Sequence, residues 1–167
     1  MLPPSLSLHP SHSLSIFLSL SYTLFTPTAY EVRVSTADKK YAGTNNNLHL
    51  ILVGDKSASK DFKMKNSTRN PKLQRGQTDT FNIAAPNLLG NLRFIKIAHC
   101  PRNLKPSADK KSKPKNPEMD EKWYLFQVVL VRLTDQKKYY FCCRRWIEAS
   151  ASKRDLKYTD VPLTKTE

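Results

Sequence analysis

The sequence has few of the residues from which metal centres and disulfide scaffolds are built. It contains three cysteines, an odd number and too few for a disulfide framework. No CxxC pair or cysteine–histidine cluster has zinc-ligand spacing, because Cys100 is far in sequence from Cys142 and Cys143. The four histidines form no recognisable motif either. The sequence therefore argues against sulfur-based metal binding.

Motifs for catalysis and for nucleic acid recognition are also missing. There is no glycine-rich phosphate loop, zinc finger, basic helix or aromatic RNA-binding motif. No nucleophile stands with a base and an acid in a catalytic motif. The sequence predicts a chain that is not an enzyme, requires no cofactor and binds no specific nucleic acid.

The chain has no apolar run of the ~20 residues that a membrane-spanning helix needs. Residues 1–29 contain no Lys, Arg, Asp or Glu, and residues 13–25 resemble the apolar part of a signal peptide ending near Ala29. A positively charged start is missing, and Pro27 occupies a position where a small residue is needed. We interpret residues 1–29 as a leader outside the fold, either a signal peptide or an artefact of the assumed translation start. Localisation stays open between secreted and membrane-associated in the cytoplasm.

Acidic residues are scarce relative to basic ones. The sequence has 28 Lys and Arg against 14 Asp and Glu, a formal net charge of +14. Two basic loops are predicted, at residues 56–75 and 101–117, and each holds a single carboxylate. Such a charge favours an anionic membrane surface or an acidic protein partner. The lysines singled out for this contact are Lys60, Lys63, Lys65, Lys110, Lys111, Lys113 and Lys115.

Short strand-like runs dominate the rest of the chain, and no convincing amphipathic helix interrupts them. The runs fall at residues 30–34, 48–53, 80–84, 92–98, 123–133 and 138–143. Turn signals separate them, among them Gly54-Asp55 and Thr134-Asp135-Gln136. Several short strands at this spacing are typical of an antiparallel β-sandwich.

Five motifs between Tyr30 and Glu148 occur in an order that resembles a known family. They read YEVRVSTADKKYAGTNNNLHLILVGD, LQRGQTDTF, LGNL with the strand to His99, WYLFQVVLV and YFCCRRWI. They are similar to the strands and turns of the PLAT, or lipoxygenase-homology, domain. The resemblance implies an all-β, C2-like fold, an antiparallel eight-stranded β-sandwich of two four-stranded sheets. The sandwich would cover residues 30–149, and a polar C-terminal tail would follow at 150–167.

The same resemblance implies a non-catalytic docking module that binds membrane lipid surfaces, a protein partner, or both. The chain fits a fragment of a tandem-PLAT protein. Two alternatives stay open: a module for an acidic protein partner without lipid binding, and the detached regulatory domain of a lipoxygenase or lipase. We expect a monomer.

The sequence keeps only part of the calcium site that the resemblance implies. Asp38 and Asn47 match loop ligands of the family, Asn45 replaces an aspartate, and Asp79 is retained. Cys100 stands where the family usually has a carboxylate, and a hard cation binds oxygen rather than sulfur. Weak calcium binding is therefore the most that the sequence predicts.

Family members also insert loop aromatics into the bilayer, and this implies roles for aromatic residues here. Phe62 and Tyr41 lie in predicted loops and are candidates for insertion, although Phe62 has the alternative of packing beneath its own loop. Cys142 and Cys143 are neighbours in a strand, so their side chains face opposite sides and are not expected to share a metal or a bond. The structural positions implied by the motifs are Trp123, Phe141, Cys143 and Trp146.

Overall fold

The computed structural model describes residues 27–65, 67–101 and 121–167. These residues form nine strands and one short 3-10 helix at Asn87–Leu89. No helix among the described residues is long and apolar enough to cross a membrane. The strands are β1 (Thr28–Thr36), β2 (Asn47–Gly54), β3 (Phe62–Met64), β4 (Thr78–Ala85), β5 (Leu92–Cys100), β6 (Lys122–Arg132), β7 (Lys138–Glu148), β8 (Thr159–Pro162) and β9 (Lys165–Thr166).

The strands make two antiparallel sheets. One has the order β4-β1-β6-β7-β9 and the other the order β3-β2-β5-β8. The all-β antiparallel sandwich is confirmed. The first sheet has five strands rather than four because the two-residue strand β9 pairs with the edge of β7.

The core lies between the sheets, and the alternation of side chains that builds it is clearest in β1. In β1, Val32 and Val34 are buried while Arg33 between them is exposed, which is the period-two pattern of a half-buried strand. In the second sheet, Leu50 of β2 and Ile97 of β5 are buried at paired positions. Removal of these apolar surfaces from water is the main force that holds the sheets together.

The turn predicted at Thr134-Asp135-Gln136 joins β6 and β7 as a hairpin, and Val131 pairs with Lys138 across it. Arg132 donates hydrogen bonds of 2.9 and 2.6 Å to the Asp135 carboxylate. These hydrogen bonds lower the pKa of Asp135 to about 2.

The expected C-terminal tail is instead part of the sandwich. β8 pairs with β5 and buries Val161, while β9 pairs with β7. These strands are short and polar, so composition hides them; each adds to an edge that a longer strand has already formed. The leader boundary also shifts, since β1 begins at Thr28, and residues 1–26 lie outside the described residues.

The connections between strands gather at two ends of the sandwich. The segments β1–β2, β3–β4 and β7–β8 emerge at one end, where Thr44 N–H donates to Leu73 C=O at 3.0 Å and Ser150 N–H donates to His99 C=O at 2.8 Å. We call this the basic end and define it by residues 37–46, 65, 67–77 and 149–158. The turn end, defined by residues 54–61, 86–91 and 133–137, lies opposite. The predicted basic loop 56–75 is therefore not one loop, because β3 divides it between the two ends.

Candidate functional site

Charge is distributed unevenly between the two ends. At the turn end, carboxylates nearly balance cations: Asp55 and Asp135 stand against Lys56, Lys60 and Lys137, while the Asp61 carboxylate is turned toward His49 and Tyr158. At the basic end, the carboxylates on the described connections are Asp38 and Asp155, with Glu121 and Glu148 at the border beside β6 and β7. The cations there are Lys39, Lys40, Lys65, Arg69, Lys72, Arg75, Lys153, Arg154 and Lys157. The positive charge of the described residues is therefore concentrated at one end of the sandwich.

An open depression of about 630 Å³ lies beside β3 at the basic end. No carboxylate is among its described lining side chains, so its local potential is positive. We call it the basic depression; its lining residues are Asn47, Lys63, Lys65, Ser67, Arg69, Asn70 and Lys72. Of the predicted contact lysines, Lys63 and Lys65 line it, whereas Lys60 precedes β3 at the turn end. Lys110, Lys111, Lys113 and Lys115 lie outside the described residues.

The buried carboxylate of Asp79 fixes the loop that forms one wall of the depression. It accepts hydrogen bonds from the Leu73 N–H at 2.8 Å and from the Ser67 hydroxyl at 2.5 Å. Gln77 Nε2 lies 3.0 Å from both carboxylate oxygens. Asp79 is fully buried, so it serves as an internal acceptor for the loop rather than as an open calcium ligand.

Lys72 fixes the same loop to the end of β3. Its side chain is only 5% exposed, and Nζ donates to the Met64 carbonyl at 2.6 Å. The Lys65 carbonyl lies 3.4 Å from the same nitrogen, and the Phe81 ring centroid lies 5.8 Å from it. The ammonium group thus replaces its hydration with carbonyl oxygens and an aromatic face.

The remaining calcium candidates have other partners. Arg75 Nε donates to Asp38 Oδ1 at 2.6 Å, and Asn45 Oδ1 accepts from Gln74 Nε2 at 3.3 Å. Asn47 lines the basic depression among cations. The described part of the chain contains no group of three or more His, Cys, Asp or Glu side chains that could hold a metal ion.

The structure decides between the two alternatives given for Phe62 in favour of packing, and it contradicts the expectation for Trp146. Phe62 lies in β3 rather than in a loop and is 9% exposed, so its ring belongs to the core and not to an inserting surface. Trp146 was expected in the core but is 43% exposed. Alternation from the buried Phe141 places Ile147 on the inner face of β7, where it pairs with the buried Trp123; Trp146 therefore faces outward. Cys143 is partly buried against the core.

Exposed aromatic rings form a second feature near the basic end. Trp146 packs edge-on against Tyr124 at 5.3 Å between ring centroids. Lys39 Nζ lies 4.1 Å from the Tyr124 ring centroid. Tyr41 is 51% exposed and, with Trp146, lines a neighbouring shallow pocket. We call these rings, with the exposed Phe126, the aromatic face. The sequence feature that identified Tyr41 as a candidate for membrane insertion was its position in a predicted loop.

The fold also assembles a cysteine, a histidine and an aspartate that are well separated in sequence. His49 Nε2 lies 3.7 Å from Cys100 Sγ, and His49 Nδ1 lies 2.7 Å from Asp61 Oδ2. Burial raises the pKa of the Tyr158 hydroxyl to about 12, and the adjacent Asp61 carboxylate adds to this shift. The order thiol, imidazole, carboxylate resembles a nucleophile with its base. Cys100 is nevertheless fully buried, and burial raises its thiol pKa, so the arrangement is a hydrogen-bonded contact between β2, β5 and the chain before β3.

The burial of Cys100 predicts how fast its thiol reacts with an alkylating reagent. In the native protein, Cys100 should be alkylated by iodoacetamide at least about 100-fold more slowly than in urea, because a protonated, enclosed thiol must wait for unfolding. Mass spectrometry of peptides after timed alkylation measures the rate at each cysteine. The half-buried Cys142 is the internal control and should react in the native state. Equal native rates at Cys100 and Cys142 would contradict the enclosed thiol.

Comparison with protein families identifies relatives along most of the chain. The model of the PLAT/LH2 domain matches residues 30–160. Human lipoxygenase homology domain-containing protein 1 is 28% identical over 123 residues, which are 74% of this chain and 5% of that protein. Polyunsaturated fatty acid lipoxygenase ALOX15 of Rattus norvegicus is 27% identical over 120 residues, 71% of this chain and 15% of that protein. The chain therefore spans only a small part of the curated relatives that it matches.

Solved structures share the fold. The chain is similar to coral 8R-lipoxygenase, with a TM-score of 0.58 and 18% identity over 81% of this chain and 17% of that one. The structure of that lipoxygenase is described in terms of calcium activation through a C2-like domain. It is also similar to the alpha toxin of Clostridium absonum, with a TM-score of 0.54 and 16% identity over 84% of this chain and 32% of that one. At these identities the likeness concerns the fold alone. Since the family model covers most of the sequence, the chain belongs to the PLAT/LH2 domain family.

Proposed function

We propose that this chain is a non-catalytic docking module whose basic end binds anionic membrane surfaces. The observation that carries the proposal is the uneven charge: exposed cations gather at the end that holds the basic depression, while carboxylates nearly balance cations at the turn end. Each Lys or Arg held near an acidic leaflet contributes about 1 kcal/mol at ordinary ionic strength. A few such contacts together give useful affinity without any single strong interaction.

The aromatic face supports the same orientation. Tyr41 lies in the β1–β2 connection at the basic end, and Trp146 lies near the end of β7 that faces the same way. Tryptophan and tyrosine rings favour the headgroup level of a bilayer, where one edge is wet and the other apolar. In this proposal they enter the headgroup layer after the cations have attracted the surface.

Calcium is not a required cofactor in the proposal. Arg75 is paired with Asp38, and the Asp79 carboxylate is enclosed by hydrogen bonds from the loop. Direct attraction by lysine and arginine takes the place of a bridging cation. Binding to anionic vesicles should therefore be the same with calcium as with a chelator.

Vesicle sedimentation tests the proposal. Replacing Lys40 and Lys153 at the basic end by glutamine should weaken binding to phosphatidylserine vesicles by about 2 kcal/mol, roughly 30-fold. The matched control is Lys56→Gln with Lys137→Gln, the same change of charge at the turn end, and it should leave the dissociation constant nearly unchanged. Added salt should weaken binding of the unmodified protein.

The outcomes separate the remaining alternatives. Equal losses from the two double variants would show that net charge, and not the basic end, controls binding. Binding that ignores lipid charge and salt would reject the electrostatic membrane proposal. An acidic protein partner, or the parent lipoxygenase or lipase of a detached regulatory domain, would then be the better candidate.

A further inference from the structure

The basic depression differs from the rest of the basic end because its cations surround a concave space. Lys40, Lys153 and Arg154 lie on exposed connections, where they can attract any anionic surface. Lys65 and Arg69 instead line one depression together with neutral polar side chains. Convergent cations favour a compact group that carries more than one negative charge over a dispersed layer of single charges.

We infer that the basic depression is a binding site for the phosphate monoester of a phosphoinositide headgroup. The inference rests on the proposed function and names the lipid class that this end of the sandwich would select. A phosphate monoester carries about −1.5 to −2 charges at neutral pH and presents three acceptor oxygens. The headgroup of phosphatidylserine has no phosphate monoester, so it cannot present this group to the depression.

The lining side chains fit such a ligand chemically. The Arg69 guanidinium has the planar donor arrangement that binds a phosphate through two hydrogen bonds, and Lys63 and Lys65 supply compact positive charges. The amides of Asn47 and Asn70 are donors and acceptors suited to ring hydroxyl groups. The volume of about 630 Å³ is within the usual range for small-molecule sites.

The wall of the depression is fixed before any ligand arrives. Asp79 holds the loop through Ser67, Leu73 and Gln77. Lys72 ties it to the Met64 carbonyl at the end of β3. A loop held by buried hydrogen bonds loses less conformational freedom on binding, so more of the interaction energy appears as affinity.

The position of the depression is consistent with a lipid rather than a free phosphate compound. It opens at the basic end, where its lining residue Asn47 directly follows the connection that holds the exposed Tyr41. A lipid whose headgroup enters the depression would keep its acyl chains in the bilayer. The neighbouring lysines would lie against the surface of that bilayer. The membrane and the depression would then act together as two linked contacts.

Vesicles of matched total charge test the inference. One set contains phosphatidylserine in phosphatidylcholine, and the other contains phosphatidylinositol 4,5-bisphosphate at the same total charge. The full chain should bind the second set at least about five-fold more tightly, because only that set offers phosphate monoesters. Soluble inositol 1,4,5-trisphosphate should compete with that binding.

A pair of variants places the selectivity in the depression. Lys65→Gln with Arg69→Gln should abolish the preference and weaken phosphatidylserine binding only as much as the same loss of charge elsewhere at the basic end. Lys153→Gln with Arg154→Gln removes the same charge at the same end but outside the depression. This control should weaken binding to both vesicle sets and preserve their ratio. Urea unfolding midpoints verify that each variant is folded. If the Lys65 and Arg69 variant does not fold, Lys63→Gln replaces it as the test of the depression.

Each result separates this inference from the proposed function. Equal binding to the two charge-matched sets overturns the phosphoinositide site but leaves the membrane proposal in place. No binding to either set overturns the membrane proposal and the inference that rests on it. A preference that survives in the Lys65 and Arg69 variant overturns the assigned location. Competition by the soluble compound without preference for the lipid identifies a free phosphate ligand and overturns the headgroup assignment.

Discussion

Trp123→Ala is expected to lower the free energy of unfolding by about 3–5 kcal/mol. The Trp123 side chain is fully buried between the sheets, and its ring lies edge-on to His99 at 5.8 Å between centroids. Its indole N–H donates to the Thr36 hydroxyl at 3.0 Å, so the substitution removes both a large apolar volume and the partner of a buried hydroxyl. Since small domains are stable by about 5–15 kcal/mol in total, the loss is a large share. Urea unfolding followed by circular dichroism measures it.

Trp146→Ala is the matched control, because it removes the same side chain from the outer face of the same sheet. The ring contact with Tyr124 is lost from an exposed side chain, so the stability should change by less than about 1 kcal/mol. The chain has two tryptophans, and Trp146→Phe leaves Trp123 as the single indole whose emission reports a buried site. Equal losses of stability from the two alanine variants would contradict the opposite orientations of the two rings.

The pair also shows what the sequence of a sandwich can and cannot predict. Alternation of buried and exposed residues identifies β1, and a continuous apolar run ended by Gly54-Asp55 identifies β2, because both signals are properties of a strand by itself. The same rule places Ile147 rather than Trp146 inside, provided that the alternation is counted from Phe141. A motif match at Trp146 carries no information about which face a side chain occupies. The short strand β8 escaped prediction because its pairing partner, β5, is remote in sequence.

The candidate site was predictable to a similar extent. An excess of lysine was enough to single out Lys63 and Lys65, since charge is a property of composition. The fold alone shows that Arg69 lines the same depression and that Lys60 does not. Asp79 illustrates a further limit, because the sequence shows an aspartate whether the carboxylate binds a cation or accepts hydrogen bonds that hold a loop. Its burial and its donors distinguish the two roles.

Asp79→Ala is expected to destabilise the protein by about 3 kcal/mol, because it leaves the buried Leu73 N–H and the Ser67 hydroxyl without their acceptor. Asp79→Asn should cost less, since one amide oxygen can still accept from Leu73. The control is Asp55→Ala. Asp55 accepts hydrogen bonds of 2.9 and 3.0 Å from Asn91 but is exposed at the turn end, so water can replace it and the loss should be clearly smaller. Urea unfolding again gives the three values, and equal losses at Asp79 and Asp55 would refute the internal role.

The same substitution links the stability of the loop to the selectivity of the depression. If the Asp79 carboxylate fixes the wall that carries Ser67 and Arg69, Asp79→Asn should reduce the preference for phosphoinositide vesicles even at temperatures where the variant is fully folded. Binding to phosphatidylserine vesicles should change little, because exposed lysines need no fixed geometry to attract a charged surface. A calcium ligand would behave differently: its loss would leave stability nearly unchanged in a chelator and would remove a response to calcium. A stability loss in the presence of a chelator, together with lost lipid selectivity, therefore assigns Asp79 to the loop and not to a metal.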